Sequence, residues 1–71
     1  MKKNFRLKNL GCAHCAVKME EKISKLDGVN SCIINFMTQK LTIDAIDEKF
    51  DDVLEEAKAI IKKIERNCEV I

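Results

Sequence analysis

Two cysteines separated by two residues, Cys12 and Cys15, have the spacing in this sequence that is best suited to chemistry. They stand where a loop leads into a predicted helix, so both sulfurs can be aimed at one point. The N–H groups and the dipole at a helix start favour a thiolate there. Paired thiolates are a soft ligand set that suits Cu(I), Zn(II) and heavier soft cations. The motif therefore predicts a site for one soft metal ion with these two cysteines as ligands.

Besides binding a single metal ion, a CxxC pair can belong to a redox site or a zinc ribbon, or can be incidental. A thioredoxin-like dithiol oxidoreductase also carries CxxC at a helix start, but such folds are longer and place a cis-proline beside the cysteines, and this chain has no proline. A zinc ribbon needs a second CxxC, whereas Cys32 and Cys68 are single and far apart. An incidental pair is disfavoured because reactive exposed thiols are seldom kept without use. The oxidoreductase remains as the alternative of another class.

The composition describes one small domain, residues 1–71, with 46% apolar residues, 35% charged residues and a net charge of +1. This balance argues against disorder and against binding to nucleic acid, which calls for a clustered basic patch. The residues after Met1 do not resemble a targeting segment, and no stretch approaches the length of a membrane span, so we expect a cytosolic domain without direct membrane contact. No catalytic constellation and no phosphate-binding glycine loop occur, so we expect no catalytic residues and no enzymatic activity in this domain.

The elements that must position the cysteines follow from hydrophobic periodicity. Alternation over residues 3–9 predicts a first strand, and apolar residues at helical spacing after the cysteines predict a first helix that stops at Asp27-Gly28. Residues 29–36 read as a second strand, and residues 37–40 as a turn. Alternation over residues 41–45 predicts a third strand, paired with the second as a hairpin.

A second helix begins near Phe50, with acidic residues early and basic residues late, as the helix dipole favours. Cys68 and Val70 belong to a short last strand. The resulting order is βαββαβ. Two helices with apolar stripes need one sheet face to cover, so we predict an α+β, ferredoxin-like sandwich: a four-stranded antiparallel sheet with both helices on one face.

Four runs of this sequence are similar to the heavy-metal-associated domain: Leu10-Gly11-Cys12-Ala13-His14-Cys15-Ala16, Lys18-Met19-Glu20, Leu26-Asp27-Gly28-Val29 and Asn35-Phe36. The resemblance covers essentially the whole chain. It implies a βαββαβ fold, a metal ion held by the two cysteines at an exposed tip, and transfer by ligand exchange. The family occurs as free metallochaperones and as N-terminal domains of P-type ATPases. The run Cys-Ala-His-Cys-Ala before Lys-Met-Glu-Glu-Lys-Ile resembles the cadmium/zinc-transporting pumps.

From this resemblance we expect a domain that binds Zn(II) or Cd(II) and delivers it or regulates transport, as the N-terminal domain of a metal-transporting P-type ATPase. A free copper(I) or mercury metallochaperone is the alternative within the class. The expected partner is a cysteine-bearing domain of a metal pump or chaperone. We expect a monomer, with a metal-bridged dimer as the alternative, on the cytosolic side of the membrane if the chain is part of a pump.

Two thiolates fill only half of the tetrahedral shell of Zn(II), which leaves room for a third protein ligand. Cys68 aligns with a loop position that lies close to the metal in copper chaperones, and it is our first candidate; the alternative is a small buried residue. Glu65, just upstream, is the weaker candidate and is otherwise a solvated charge at the helix end. His14, between the cysteines, is expected to point away from the metal.

Two positions depart from the usual family pattern. Asn9 stands where the family usually has glycine, and Gly11 stands where threonine, serine or a potential ligand aspartate is common. Cys32 shares a strand face with apolar residues and replaces a usual valine, so we expect it in the core. Met19, at helical spacing, is also expected to be a core residue.

Overall fold

The computed structural model describes all 71 residues, which form four strands and two α-helices. In chain order the elements are β1 Lys2–Lys8, α1 Ala13–Ser24, β2 Val29–Asn35, β3 Lys40–Ala45, α2 Phe50–Ile64 and β4 Glu69–Val70, with a 3-10 turn at Asp47–Lys49. The strands form one antiparallel sheet in the order β2-β3-β1-β4. The predicted ferredoxin-like fold is therefore confirmed, and the element bounds differ only slightly from those predicted.

The central strand β3 shows why the sheet has one apolar face. Leu41, Ile43 and Ala45 are fully buried, while the residues between them are partly exposed. This alternation follows from the two-residue period of side chains along a strand. Across the sheet, Phe5 of β1 lies opposite Leu41, and Cys32 of β2 lies opposite Ile43. The apolar side chains of three strands thus meet on one face.

Helix α1 buries one stripe against that face, formed by Ala16, Met19 and Ile23. The helix ends at Ser24, three residues earlier than the sequence pattern predicts. The N–H groups of Lys25 and Leu26 bond to carbonyls three residues back, which tightens the chain out of the α-helix. Gly28 has a φ of +92°, a conformation that suits glycine, and it turns the chain into β2.

Helix α2 carries the second apolar stripe, formed by Phe50, Val53, Ala57 and Ile61. Its first turn contains Asp51 and Asp52, and its last turn contains Lys62 and Lys63. This order places negative charge at the positive end of the helix dipole and positive charge at the negative end. The amphipathic stripe and the charge order therefore favour the same helix in the same place.

The core consists of 15 buried residues, which are all apolar if the two cysteines among them are counted as apolar. Both helix stripes and the inner strand residues belong to this single cluster, and Cys32 and Cys68 are part of it. The expected core position of Cys32 is confirmed. Cys15 is only partly buried against this cluster, and Cys12 does not belong to it. Burial of aliphatic surface therefore accounts for the core without the cysteine pair. Neither helix has the length and apolar character that a bilayer crossing requires.

One end of the molecule collects the segments that position the cysteine pair. The strand register brings together the end of β1, the β2–β3 turn and the start of β4. Lys8 pairs with Glu69, and Lys40 pairs with both Arg6 and Asn35. Helix α1 starts there and α2 ends there. We call this end the tip and define it as residues 9–15, 36–39 and 65–68.

Candidate metal centre

Cys12 occupies the N-cap position of α1. Its backbone is extended, with φ −134° and ψ 114°, and its sulfur accepts a hydrogen bond from the Cys15 N–H at 3.2 Å. Its carbonyl accepts from the Ala16 N–H at 3.0 Å, which begins the helix. Sulfur thus takes the place of the side-chain oxygen that usually caps a helix. The cap fixes the Cys12 sulfur above the first turn, on which Cys15 stands.

The two thiols of the motif are partly exposed. The hydrogen bond from the Cys15 side chain, and then that from its backbone N–H, lowers the pKa of Cys12. The same side-chain bond, followed by desolvation, raises the pKa of Cys15, which acts as the donor. The free pair therefore carries its first negative charge on Cys12 and keeps a proton on Cys15.

The segment before Cys12 is held by the β2–β3 turn. Asn9 has a φ of +63°, which explains why glycine is usual there and why asparagine, tolerant of this region, can replace it. The next side chain, Leu10, is buried in the core. Its N–H donates to Gln39 Oε1 at 3.3 Å, and its carbonyl accepts from Gln39 Nε2. Both backbone polar groups of Leu10 are thus bonded to one amide side chain.

Glu65, which follows the last residue of α2, reaches the loop from the other side. Its Oε1 accepts a hydrogen bond from the Gly11 N–H at 3.3 Å. Its Oε2 is buried and has no hydrogen-bond partner. Its charge is also a lesser cause of the raised pKa of Cys15, after the hydrogen bond to Cys12. A buried carboxylate oxygen without a partner is costly, so the structure leaves an unused acceptor near the thiols.

Cys68, our first candidate for a third ligand, lies fully buried in the core. Its N–H donates to the Glu65 carbonyl at 3.1 Å. Burial, followed by the charges of Glu65 and Glu69, raises the pKa of its thiol. Burial and the raised pKa thus favour a protonated thiol shielded from solvent, whereas the thiols of Cys12 and Cys15 are partly exposed.

No three side chains of the cysteine, histidine, aspartate and glutamate types converge as a ready metal shell. His14 is exposed at the start of α1, and Met19 is fully buried in the core. The structure therefore brings together two donors, Cys12 and Cys15, with the Glu65 carboxylate nearby. The third ligand stays a prediction.

Gln39 is the residue near the site that the sequence did not reveal. The sequence pattern predicts only a turn there, and Gln39 lies 29 residues from Leu10 along the chain. No local pattern marks such a contact, because it depends on the register of β3 against β1. The one available signal is its polar, unbranched side chain in a turn that must face the loop after β1.

The family of this chain follows from a match over most of its length. The sequence model of the heavy-metal-associated domain matches residues 4–69. The chain belongs to the heavy-metal-associated domain family. The resemblance inferred from the sequence runs is thereby confirmed, and family membership supports binding of a soft metal ion. Such domains are non-enzymatic modules, in line with the expectation from the sequence.

Two curated relatives show the breadth of this heavy-metal-associated domain family. The cadmium, zinc and cobalt-transporting ATPase of Helicobacter pylori is 39% identical over 61 residues, which are 86% of this chain and 8% of the pump. The copper chaperone CopZ of Enterococcus hirae is 28% identical over 64 residues, 90% of this chain and 86% of the chaperone. The chain therefore spans a small fraction of the pump and most of the chaperone.

A solved structure of a CopZ metallochaperone supports the fold of this heavy-metal-associated domain. It superposes with a TM-score of 0.78 at 20% sequence identity, and the match covers 100% of both chains. At this identity the likeness shows the fold alone. The fold therefore agrees with the family match and leaves the choice of metal open.

Proposed function

We propose that this domain binds one soft metal ion through the sulfurs of Cys12 and Cys15 and passes it to a cysteine-bearing partner domain. The observation that carries the proposal is the placement of two partly exposed thiols at the start of α1, where the Cys12 sulfur caps the helix and accepts from the Cys15 N–H at 3.2 Å. A sulfur at the N-cap and a sulfur on the first turn lie at the same end of the helix, where both can bind one cation. Metal binding would replace the proton on Cys15 with the ion and give two thiolates.

Zn(II) or Cd(II) is our preferred cargo, and an N-terminal position in a metal-transporting P-type ATPase is our preferred context. The H. pylori relative at 39% identity, named as a cadmium, zinc and cobalt transporter, supports both. In that context the domain would lie on the cytoplasmic side of the membrane and act as a monomer, with a metal-bridged dimer as the alternative. ATP hydrolysis would belong to other parts of the pump.

For the third ligand we favour Glu65 over Cys68 in light of the geometry. The Glu65 carboxylate already lies at the loop and has one buried oxygen without a partner. Cys68 would have to give up its core position and its proton. A carboxylate also favours Zn(II) and Cd(II) over Cu(I), because oxygen is a poor ligand for the softest ions and the added charge attracts a divalent ion more strongly.

Release of the metal ion follows from an incomplete ligand shell. A site that leaves coordination positions open admits a ligand from another molecule, whereas a closed shell of four protein ligands holds a structural ion. A partner cysteine could therefore enter the shell before Cys12 or Cys15 leaves it. Transfer would then proceed through shared-ligand intermediates without free metal.

A competition titration of the reduced protein with Zn(II), Cd(II) and Cu(I) tests this proposal. We expect tight binding of one equivalent per chain, and we expect Glu65→Gln to weaken Zn(II) and Cd(II) binding by at least about tenfold with less effect on Cu(I), because a neutral amide oxygen is a weaker ligand than a carboxylate. Glutamine keeps an acceptor for the Gly11 N–H, so this variant removes charge while retaining the loop contact. Cys68→Ala is the matched test of the other candidate. Lack of affinity for all three ions would refute the proposal.

A free copper(I) or mercury metallochaperone is the second candidate, because the chain spans 86% of the CopZ chaperone of E. hirae. Preference for Cu(I) by several orders of magnitude over Zn(II), unaffected by Glu65→Gln, would favour it. A dithiol oxidoreductase is the third, because the lowered pKa of Cys12 also suits thiol–disulfide exchange. Rapid exchange with a model disulfide, without affinity for metal, would favour that function.

A further inference from the structure

The two cysteines of the motif are positioned by different parts of the chain. Cys15 stands on the first turn of α1 and is positioned by the helix itself. Cys12 is the last residue of a loop, and its place depends on what holds residues 9–11. A metal site binds tightly only if its ligands are held near their bound geometry. The contacts of that loop therefore bear directly on the metal affinity.

We propose that Gln39 is a positioning residue for the Cys12 half of the metal site. This inference rests on the proposed function, because it assigns a role in metal binding. Gln39 Oε1 accepts from the Leu10 N–H at 3.3 Å while its Nε2 donates to the Leu10 carbonyl. Only one orientation of the amide satisfies both groups, so the contact fixes direction as well as distance.

The backbone of Gln39 adds a third contact to the same strand end. Its carbonyl accepts from the Leu7 N–H at 2.8 Å. Its own φ is +56°, a region that few residues other than glycine adopt readily. A glycine would fill this position with less strain but would supply no amide. The backbone conformation at this position favours glycine, yet the chain has Gln39, whose side chain reaches Leu10.

The Leu10 side chain completes the arrangement. It is buried in the core, so the residue is fixed by packing on one side and by Gln39 along its backbone. The Glu65 bond to the Gly11 N–H holds the following residue. Two side chains from different elements thus hold the two residues that precede Cys12, and the Gln39 contact uses both polar groups of its target.

The decisive variant is Gln39→Gly, because glycine accepts a φ of +56° and the change removes only the side chain. We expect its affinity for Cd(II) and Zn(II) to fall about tenfold, the scale typical when an outer-shell partner of a metal ligand is lost. Hydrogen exchange of the Leu10 amide should quicken by a similar factor. Amides in the centre of β3 should keep their protection.

A matched control outside the tip separates positioning from general loosening. Ile43→Val lowers stability from within the core while the Gln39 contact stays intact. This variant should bind Cd(II) like the unmodified protein at a temperature where every variant is folded.

The outcomes distinguish this inference from the function on which it rests. If the unmodified protein binds none of the ions, the proposed function and this inference both fail. If it binds, and Gln39→Gly binds equally well or Ile43→Val loses as much affinity, the function stands and this inference is wrong. A selective loss in Gln39→Gly, together with faster exchange at Leu10, supports it.

Discussion

The four cysteines of this chain form two contrasting pairs. Cys12 and Cys15 are partly exposed at the tip, where hydrogen bonds from the side chain and then the backbone of Cys15 lower the pKa of Cys12. Cys32 and Cys68 are buried, and desolvation raises their pKa, to about 12 for Cys32. The same functional group thus serves as a prospective ligand in one region and as an apolar filler in the other. Local polar contacts and water, rather than residue type, decide which role it takes.

The largest contrast is expected in reactivity towards an alkylating reagent. The thiolate is the reacting form, and the pKa is lowered at Cys12 but raised to about 12 at Cys32, so Cys12 holds far more thiolate at neutral pH. Alkylation followed by peptide mass spectrometry should give Cys12 as the fastest site of the metal-free protein and the two core cysteines as the slowest. Equal rates at Cys12 and Cys68 would contradict the contrast.

Replacement of cysteine by serine should affect metal affinity at the tip and the free energy of unfolding in the core. Cys15→Ser should weaken Cd(II) binding more than about a hundredfold, because it removes a ligand rather than an outer-shell partner. The free energy of unfolding of the metal-free protein should change by less than about 0.5 kcal/mol, as for most exposed positions. Cys12→Ser should behave alike, since serine also caps helices well.

Cys32→Ser is the matched change in the core. It should leave Cd(II) affinity intact and lower the free energy of unfolding by about 1–2 kcal/mol, because a hydroxyl is buried in place of a thiol. Urea denaturation followed by circular dichroism measures this difference. The comparison would be broken by a core variant that loses metal affinity, or by a metal-free protein that is unfolded before any substitution.

The pH dependence of binding gives a smaller and more gradual test. The pKa of Cys15 is raised, so at neutral pH its proton must leave when a metal ion binds. Affinity for Cd(II) should therefore increase about tenfold for each pH unit while one proton is displaced, with a steeper slope where Cys12 is protonated too. A competition titration between about pH 6 and 8 measures the slope, and an affinity independent of pH would show that both thiols are already ionised.

Much of the fold follows from local patterns. The alternation along β3 and the helical spacing of the α2 stripe predict elements close to those observed. The end of α1 is less well predicted, because Gly28 suggests a helix end while the chain leaves the helix at Ser24. Gly28 marks the turn before β2. The helix itself ends earlier, where the N–H groups of Lys25 and Leu26 bond to carbonyls three residues back.

The sequence by itself determined the order of the elements and the placement of Cys12 and Cys15 at the start of the first helix. Both depend on residues that are neighbours along the chain, where periodicity and helix geometry act directly. The tertiary structure alone decided that Cys68 is buried, that Glu65 keeps one oxygen without a partner, and that Gln39 holds Leu10. These facts depend on strand register and helix packing over separations of 29 and 54 residues. No local pattern encodes them, because they arise only when distant segments meet.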